Sequence, residues 1–145
     1  MAAGSREARG ADDPVGRLRD AAFAALEHAY APYSGFRVGA AVADEDGRVS
    51  AGCNVENSSY PAGICAERGA VAAMVAAGGR RVSALVLATE ADEATPPCGI
   101  CRQVLSEFAD PSLEVVSVTR AGREARWRMA ELLPAPFTLE SLGRR

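Results

Sequence analysis

Apolar residues recur at helical spacing in several stretches of the chain, and short apolar or alternating runs lie between them. A helix is predicted to begin at Asp13-Pro14, where a carboxylate at the N-cap precedes a proline, and to stop before Pro32. The other predicted helices cover 65–77, 98–108 and 130–133. The predicted strands cover 36–43, 48–55, 82–88, 113–119 and 125–129.

The order of these elements predicts the fold class. The turn Asp44-Glu45-Asp46-Gly47 between the first two strands is typical of a β-hairpin. The later strands alternate with helices, which favours parallel strands joined by helical crossovers. We therefore expect an α/β layer sandwich whose mixed sheet is antiparallel at the hairpin and parallel across the two later crossovers.

Length and composition indicate a single domain. The chain has 145 residues, of which 48% are hydrophobic, so it can bury a substantial core. Residues 1–12 are small, polar or charged and are predicted to form a disordered tail before a domain over 13–145. This tail lacks the apolar segment of a signal peptide, and no apolar run is long enough for a membrane helix. We therefore expect a cytoplasmic protein without a membrane partner.

Four cysteines carry the candidate chemistry, because disulfides are rare in the cytoplasm. Cys98-Gly99-Ile100-Cys101 begins a predicted helix and puts two thiols on one face, which suits a metal ion, a redox pair or core packing. Cys65-Ala66-Glu67 begins another helix. Three thiolates leave one position of a tetrahedral zinc ion open, as in catalytic sites, and Glu67 is placed to contact a water there. A closed four-cysteine zinc site or a disulfide is the alternative, but neither needs Glu67.

The fourth cysteine, Cys53, is interpreted as a small buried residue, because a fourth thiolate would close the open position on zinc. The order Cys-Ala-Glu followed by Pro-Cys-x-x-Cys is the signature of zinc nucleobase deaminases. The chain resembles the small, zinc-dependent, homotetrameric cytidine deaminases over nearly its whole length after the tail. The matching stretches are 30–34, 36–41, 53–57, 65–68, 97–104 and 132–137.

The resemblance implies a fold and a reaction. The fold is a three-layer α/β/α sandwich with a mixed five-stranded sheet. One zinc ion per chain would be held by Cys65, Cys98 and Cys101. A zinc-bound hydroxide would attack C4 of cytidine or deoxycytidine while Glu67 moves the protons, giving uridine or deoxyuridine and ammonia. This reaction belongs to pyrimidine salvage.

The resemblance also implies residue roles in the substrate pocket. Asn54 and Glu56 would bind the ribose hydroxyls of a nucleoside, and Phe36 would line the base pocket. The backbone of Ala66 would meet the polar edge of the base.

Further roles lie around the metal and across subunits. Tyr60 and Phe137 would reach the site of a neighbouring subunit in a homotetramer with shared active sites. Three thiolates leave the zinc site with a negative charge that needs compensation, and Arg68 and Arg102 directly follow the cysteine motifs. Both guanidinium groups are therefore candidates to donate hydrogen bonds to the thiolate sulfurs.

Three other functions compete with this interpretation. An aminohydrolase of the blasticidin S type would share the cysteine motifs but lack the ribose-binding pair Asn54 and Glu56. A polynucleotide deaminase usually begins its motif with histidine and carries a basic surface, whereas this motif begins with Cys65 and the net charge is −3. A non-catalytic zinc-binding interaction protein would have no use for Glu67.

Overall fold

The helices and strands alternate along the chain as the sequence predicts. The computed structural model describes residues 13–143, so the predicted tail over 1–12 lies outside the described residues. The helices are α1 (Pro14–Leu26), α2 (Ala66–Ala76), α3 (Gly99–Phe108) and α4 (Met129–Leu132). The strands are β1 (Val38–Asp44), β2 (Val49–Cys53), β3 (Val82–Thr89), β4 (Glu114–Thr119) and β5 (Glu124–Arg128). Short 3-10 helices cover Tyr60–Ala62 and Glu140–Leu142.

The five strands form one mixed sheet in the order β2-β1-β3-β4-β5. Strand β1 is antiparallel to both β2 and β3, β3 is parallel to β4, and β5 is antiparallel to β4. Both crossovers therefore join strands that run in the same direction, as the sequence predicts, and β3 and β4 are also direct neighbours. Strands β2 and β3 run in the same direction, but β1 lies between them. The cause is burial: β1 is buried from Gly39 to Asp44 and takes an interior position, whereas the partly exposed β2 forms an edge.

Helices cover both faces of the sheet, which confirms the three-layer sandwich. Helix α1 packs on one face, where the buried residues are Leu18, Ala22, Leu26, Ala41, Ala43, Val86, Ala88, Val116 and Val118. Helices α2, α3 and α4 cover the other face, where the larger cluster includes Met74, Leu85, Leu87, Leu105, Val115 and Leu132. The apolar face of α3, with Leu105 buried, points to this second layer.

Glycine lets α2 lie directly on the backbone of β2. A Cβ atom at Gly52 would lie 2.5 Å from the nitrogen of Ala70 and 2.7 Å from the carbonyl oxygen of Ala66. Real Cβ atoms do not approach backbone so closely, so only glycine fits at this position. The contact fixes the first turns of α2, which carry the candidate catalytic motif, against the edge of the sheet.

The loops at one end of the sheet are joined by backbone hydrogen bonds. Helix α1 ends at Leu26, several residues before Pro32, because Tyr30 pairs with the chain beyond β2. The Tyr30 nitrogen donates to the Asn54 carbonyl at 2.9 Å, and the Glu56 nitrogen donates to the Tyr30 carbonyl at 2.8 Å. Val55 pairs in turn with Ile64, just before α2. Among the described helices, none has the length and apolar character needed to cross a membrane.

Candidate active site

Two helix N-termini bring three cysteines together. Cys65 is the N-cap of α2 and Cys98 is the N-cap of α3, while Cys101 lies in the first turn of α3. The sulfur atoms of Cys65 and Cys98 are 3.7 Å apart, and those of Cys98 and Cys101 are 3.5 Å apart. Within residues 13–143, this is the one group of three or more candidate metal ligands whose ligand atoms lie close together. The structure thus places the sulfur atoms of the three predicted zinc ligands close together.

The geometry of the three sulfurs fits a zinc ion. A zinc–sulfur bond of about 2.3 Å places the sulfurs of a tetrahedral site roughly 3.8 Å apart, close to the distances found here. Three soft thiolates are also a donor set that selects zinc over magnesium or calcium. Cys53 is partly exposed and not buried as predicted, because it ends the edge strand β2. It lies outside this cluster, so a tetrahedral ion held by the three sulfurs would keep an open fourth position.

The electrostatics of the cluster favour a thiolate at Cys65. A hydrogen bond from Cys101 lowers the pKa of Cys65 to about 5; burial opposes this effect, and hydrogen bonds from Cys98 and Arg68 reinforce it. The same contacts with Cys65, together with burial, raise the pKa of Cys101 above its ordinary value. The guanidinium of Arg68 also donates to the carbonyl of Gly63 at 3.2 Å, which holds it beside Cys65.

Glu67 lies beside the cluster in the first turn of α2. Its side chain is buried, with the residue only 5% exposed. Burial raises the pKa of Glu67 to about 7, although its own backbone N–H opposes the shift. Its carboxylate is not among the clustered ligand atoms, and Glu67 lines the same cavity as Cys65 and Cys98. A carboxyl group with this pKa can both accept and release a proton near neutral pH.

A cavity of about 390 Å³ opens over the cysteines. It gathers most of the residues that the sequence assigned to the site, namely Phe36, Asn54, Glu56, Cys65, Ala66, Glu67 and Cys98. The residues that complete its wall were not assigned a role from the sequence, and they are Ser34, Val38, Leu87, Thr95 and Pro96. Leu87 belongs to a run of buried strand residues, and nothing in its local sequence distinguishes it from the core.

The side-chain amide of Asn54 links Phe36, which lines the cavity, to Val38 at the start of β1. Its amide nitrogen donates to the Phe36 carbonyl at 2.7 Å, and its amide oxygen accepts from the Val38 nitrogen at 2.9 Å. An amide has two donor and two acceptor positions, so one of each remains for a ligand. Asn54 therefore has a positioning role that the sequence did not reveal, alongside the predicted contact with ribose.

Glu56 is held by the loop that precedes β1. Its carboxylate accepts hydrogen bonds from the backbone nitrogens of Tyr33 and Ser34 at 2.9 and 3.0 Å, and from the Ser34 hydroxyl. These contacts, led by the Ser34 hydroxyl, lower the pKa of Glu56. The contact between Ser34 and Glu56 is absent from the sequence-based list of site residues, because a serine before glycine is also typical of an ordinary turn.

The remaining predicted residues lie away from the cysteine cavity of their own chain. Tyr60 is 76% exposed and lines an adjoining cavity of about 290 Å³, where its ring meets Tyr33 edge-on. Phe137 is 59% exposed and is absent from the walls of both cavities. Its carbonyl accepts a hydrogen bond from Gln103 at 2.7 Å, which ties the C-terminal segment to α3.

Arg102 differs from Arg68 in what its guanidinium contacts. It donates to the carbonyl oxygens of Pro97 at 2.8 Å and of Leu132 at 3.0 Å. Among the described residues these are its hydrogen bonds, and both are to backbone. Arg102 therefore acts on the cysteines indirectly, by fixing the turn that presents Cys98 and the segment that leads to Phe137.

Comparison with known proteins agrees with this geometry. A profile described as "Cytidine and deoxycytidylate deaminase zinc-binding region" matches residues 16–118. A cytidine deaminase of Sporosarcina psychrophila is 43% identical over 119 residues, which are 82% of this chain and 88% of that protein.

Solved structures are similar over a comparable length. The cytidine deaminase of Burkholderia pseudomallei has a TM-score of 0.80 and 46% identity, covering 84% of this chain and 98% of the other. The enzyme of Mycobacterium tuberculosis has a TM-score of 0.75 and 42% identity, covering 88% and 100%. The profile, the sequence relatives and the fold agree, and the chain belongs to the cytidine and deoxycytidylate deaminase family.

Proposed function

We propose that the protein hydrolyses cytidine and deoxycytidine to uridine and deoxyuridine with release of ammonia, as a cytoplasmic enzyme of pyrimidine salvage. One observation carries the proposal. The three-cysteine cluster and the buried Glu67 lie in the same cavity as Asn54 and Glu56, so a hydrolytic centre and a hydroxyl-binding pair face one ligand. The family and the relatives named above support the same reaction.

Cys65, Cys98 and Cys101 would hold one zinc ion per chain. When bound, the ion supplies a Lewis acid that lowers the pKa of a water toward about 7. The side chain of Arg68, which lowers the pKa of Cys65, supports this assignment, because its Nε atom is buried and has no hydrogen-bond partner among residues 13–143. Thiolate sulfurs would be acceptors for such a donor and would offset its cost of burial.

Glu67 would carry the protons. Its carboxylate takes a proton from the attacking water and delivers it to N3 of the base. It then takes the second proton from the new hydroxyl on C4 and passes it to the departing amine, so that the C4 oxygen becomes the carbonyl of uridine. The bond from C4 to oxygen forms and the bond from C4 to nitrogen breaks, so the products are uridine and ammonia. One buried carboxylate thus acts first as a base and then as an acid, which its position at the cavity wall allows.

The charges of the cavity favour a nucleoside over a nucleotide. Glu56 lines both cavities, Glu67 lines the cavity over the cysteines, and no arginine among residues 13–143 lines either one. A 5′-phosphate would therefore meet Glu56 and Glu67 without a cation to compensate it. Among the substrates named in the family description, the cavity of the single chain favours cytidine over deoxycytidylate.

An ultraviolet absorbance assay separates the candidate reactions. Cytidine, deoxycytidine, deoxycytidylate and blasticidin S would be offered in parallel to the zinc-loaded protein. We expect turnover of both nucleosides and little of the other two. Preferential turnover of blasticidin S would assign the aminohydrolase of that type, and turnover of none would favour a zinc-binding protein without catalysis.

The second part of the proposal is a homotetramer with shared active sites. Tyr60 and Phe137 are large, exposed aromatic residues that their own chain leaves uncovered. A flat base needs apolar walls that exclude water, and the cysteine cavity of one chain is open on one side. A neighbouring copy that supplies Phe137 would close it.

Mixed oligomers test the shared site. Glu67→Gln chains keep Phe137 but lack the proton carrier, and Phe137→Ala chains keep Glu67 but lack the aromatic wall. Co-refolded chains should be more active than Phe137→Ala alone, because some sites then combine both residues. Light scattering should show about four chains per particle, as the family resemblance implies. A fully active monomer, or no recovery in verified mixed particles, would contradict the shared site and leave the cysteine chemistry intact.

A further inference from the structure

The carboxylate of Glu56 has little hydrogen-bonding capacity left for a ligand. An ionised carboxylate offers about four acceptor positions on its two oxygens. Oε1 accepts from the backbone nitrogens of Tyr33 and Ser34, and Oε2 accepts from the Ser34 hydroxyl. One position therefore remains, and it is on Oε2.

The same hydroxyl also reaches the base-pocket wall. Ser34 Oγ accepts a hydrogen bond from the Phe36 nitrogen at 3.0 Å while it donates to Glu56. On the other side of Phe36, its carbonyl accepts from Asn54. The backbone of Phe36 is thus held at both ends, and Ser34 is the link between this peptide and Glu56.

We infer that Ser34 is a positioning residue of the nucleoside site. It orients Glu56 so that a single acceptor, on Oε2, is open to a donating sugar hydroxyl, and it couples this carboxylate to the aromatic wall at Phe36. The inference rests on the proposed function, because it concerns how a nucleoside is held. It concerns binding of the sugar and leaves the chemistry at Glu67 unchanged.

The charge on Glu56 depends on the same contacts. Hydrogen bonds from the Ser34 hydroxyl, the Ser34 nitrogen and the Tyr33 nitrogen lower the pKa of Glu56, and the Ser34 hydroxyl has the largest effect. Burial opposes this lowering. The titratable groups that share its cavities are Tyr33, Tyr60, Cys65, Glu67 and Cys98. Removing the hydroxyl raises the pKa of Glu56. In Ser34→Ala, Glu56 therefore becomes protonated at a higher pH than in the parent chain. When the solution is acidified, the variant should lose sugar binding earlier, at that higher pH.

Three variants test the inference. Ser34→Ala removes the hydroxyl, Ser34→Thr keeps it at an exposed position, and Ser58→Ala makes the same change at an exposed serine of the loop after Glu56. Two ligands separate the sugar from the base: cytidine, and 2′,3′-dideoxycytidine, which lacks the donating ribose hydroxyls. The affinity of the second is measured by competition.

We expect Ser34→Ala to raise KM for cytidine about tenfold, the size of one hydrogen bond to a charged group, and to move the acid limb of the pH profile upward. Affinity for 2′,3′-dideoxycytidine should fall much less, through the contact of Ser34 with Phe36 alone, and Ser34→Thr and Ser58→Ala should behave as the parent chain does. Carbon-13 NMR of the Glu56 carboxyl should show its pKa rising in Ser34→Ala.

Equal losses for both ligands, or an unchanged carboxyl titration in a folded Ser34→Ala protein, would overturn the inference. Failure of the proposed function is a different result, because the unaltered chain would then not deaminate cytidine at all. Retention of cytidine affinity by Ser34→Ala in an active enzyme would overturn the positioning role alone.

Discussion

The contact between α2 and β2 gives a pair of matched substitutions with opposite expected effects. Gly52 on β2 and Gly69 on α2 face each other, and each can be changed to alanine. A Cβ at Gly52 would lie 2.5 Å from the Ala70 nitrogen and 2.8 Å from the Gly69 carbonyl carbon. A Cβ at Gly69 would have Gly52 Cα as its nearest neighbour, at 3.6 Å, an ordinary contact.

The magnitudes follow from these distances. Because the atoms around Gly52 belong to backbone, α2 must move by roughly 1 Å to restore normal separation. Overpacking of this kind costs about 1–3 kcal/mol of unfolding free energy, which lowers Tm by roughly 3–10 °C in a chain of this size. Gly69→Ala should be neutral or stabilise by up to about 1 kcal/mol, since alanine favours a helix interior.

Thermal unfolding of the zinc-loaded proteins at one fixed concentration measures both effects, because metal and assembly also contribute to stability. Gly52→Ala should also lower activity, since the displaced α2 carries Cys65 and Glu67. A Gly52→Ala protein as stable as the parent, or a Gly69→Ala protein that is the less stable of the two, would refute the packing argument.

The other predictions concern the reaction centre. Cys101→Ala should lose stoichiometric zinc, whereas Cys53→Ser should keep it; metal analysis decides, and full zinc in Cys101→Ala would disprove the ligand assignment. Glu67→Gln should retain zinc and fold but lose about 10²–10⁴ in turnover, and near-normal deamination would remove Glu67 from the mechanism. Asn54→Ala should impair cytidine more than free cytosine in steady-state kinetics; equal damage would leave Asn54 with a structural role only.

The sequence predicted the helices and strands well because their apolar periods are regular. It did not predict that β1 lies beside β3, since strand order depends on contacts between distant segments. A signal was nevertheless present: residues 39–43 form an uninterrupted run of small and apolar residues, which is typical of an interior strand. Val49 to Cys53 includes serine and an exposed end, as an edge strand can.

The contacts within the site were harder to predict than its residues. The motifs identify Asn54 and Glu56, but their partners come from the register of the hairpin. Gly39 pairs with Cys53, and continuing this register by one residue places Asn54 beside Val38. Ser34 reaches Glu56 from 22 residues away in the chain, through a loop whose path no local pattern determines.

The spacing of the three cysteines also determines the order in which a refolding chain can acquire its metal. Cys98 and Cys101 are three residues apart, so even an extended chain offers them as a pair, whereas Cys65 is 33 residues from Cys98. Closing that loop in an unfolded chain costs about 3 kcal/mol of entropy, until pairing of β3 with β1 brings the two helix starts together. Binding by two thiols should therefore be early and weak, and the third bond late. Cobalt(II) used in place of zinc would show this as two steps in its thiolate absorption, the slower one following the formation of the sheet.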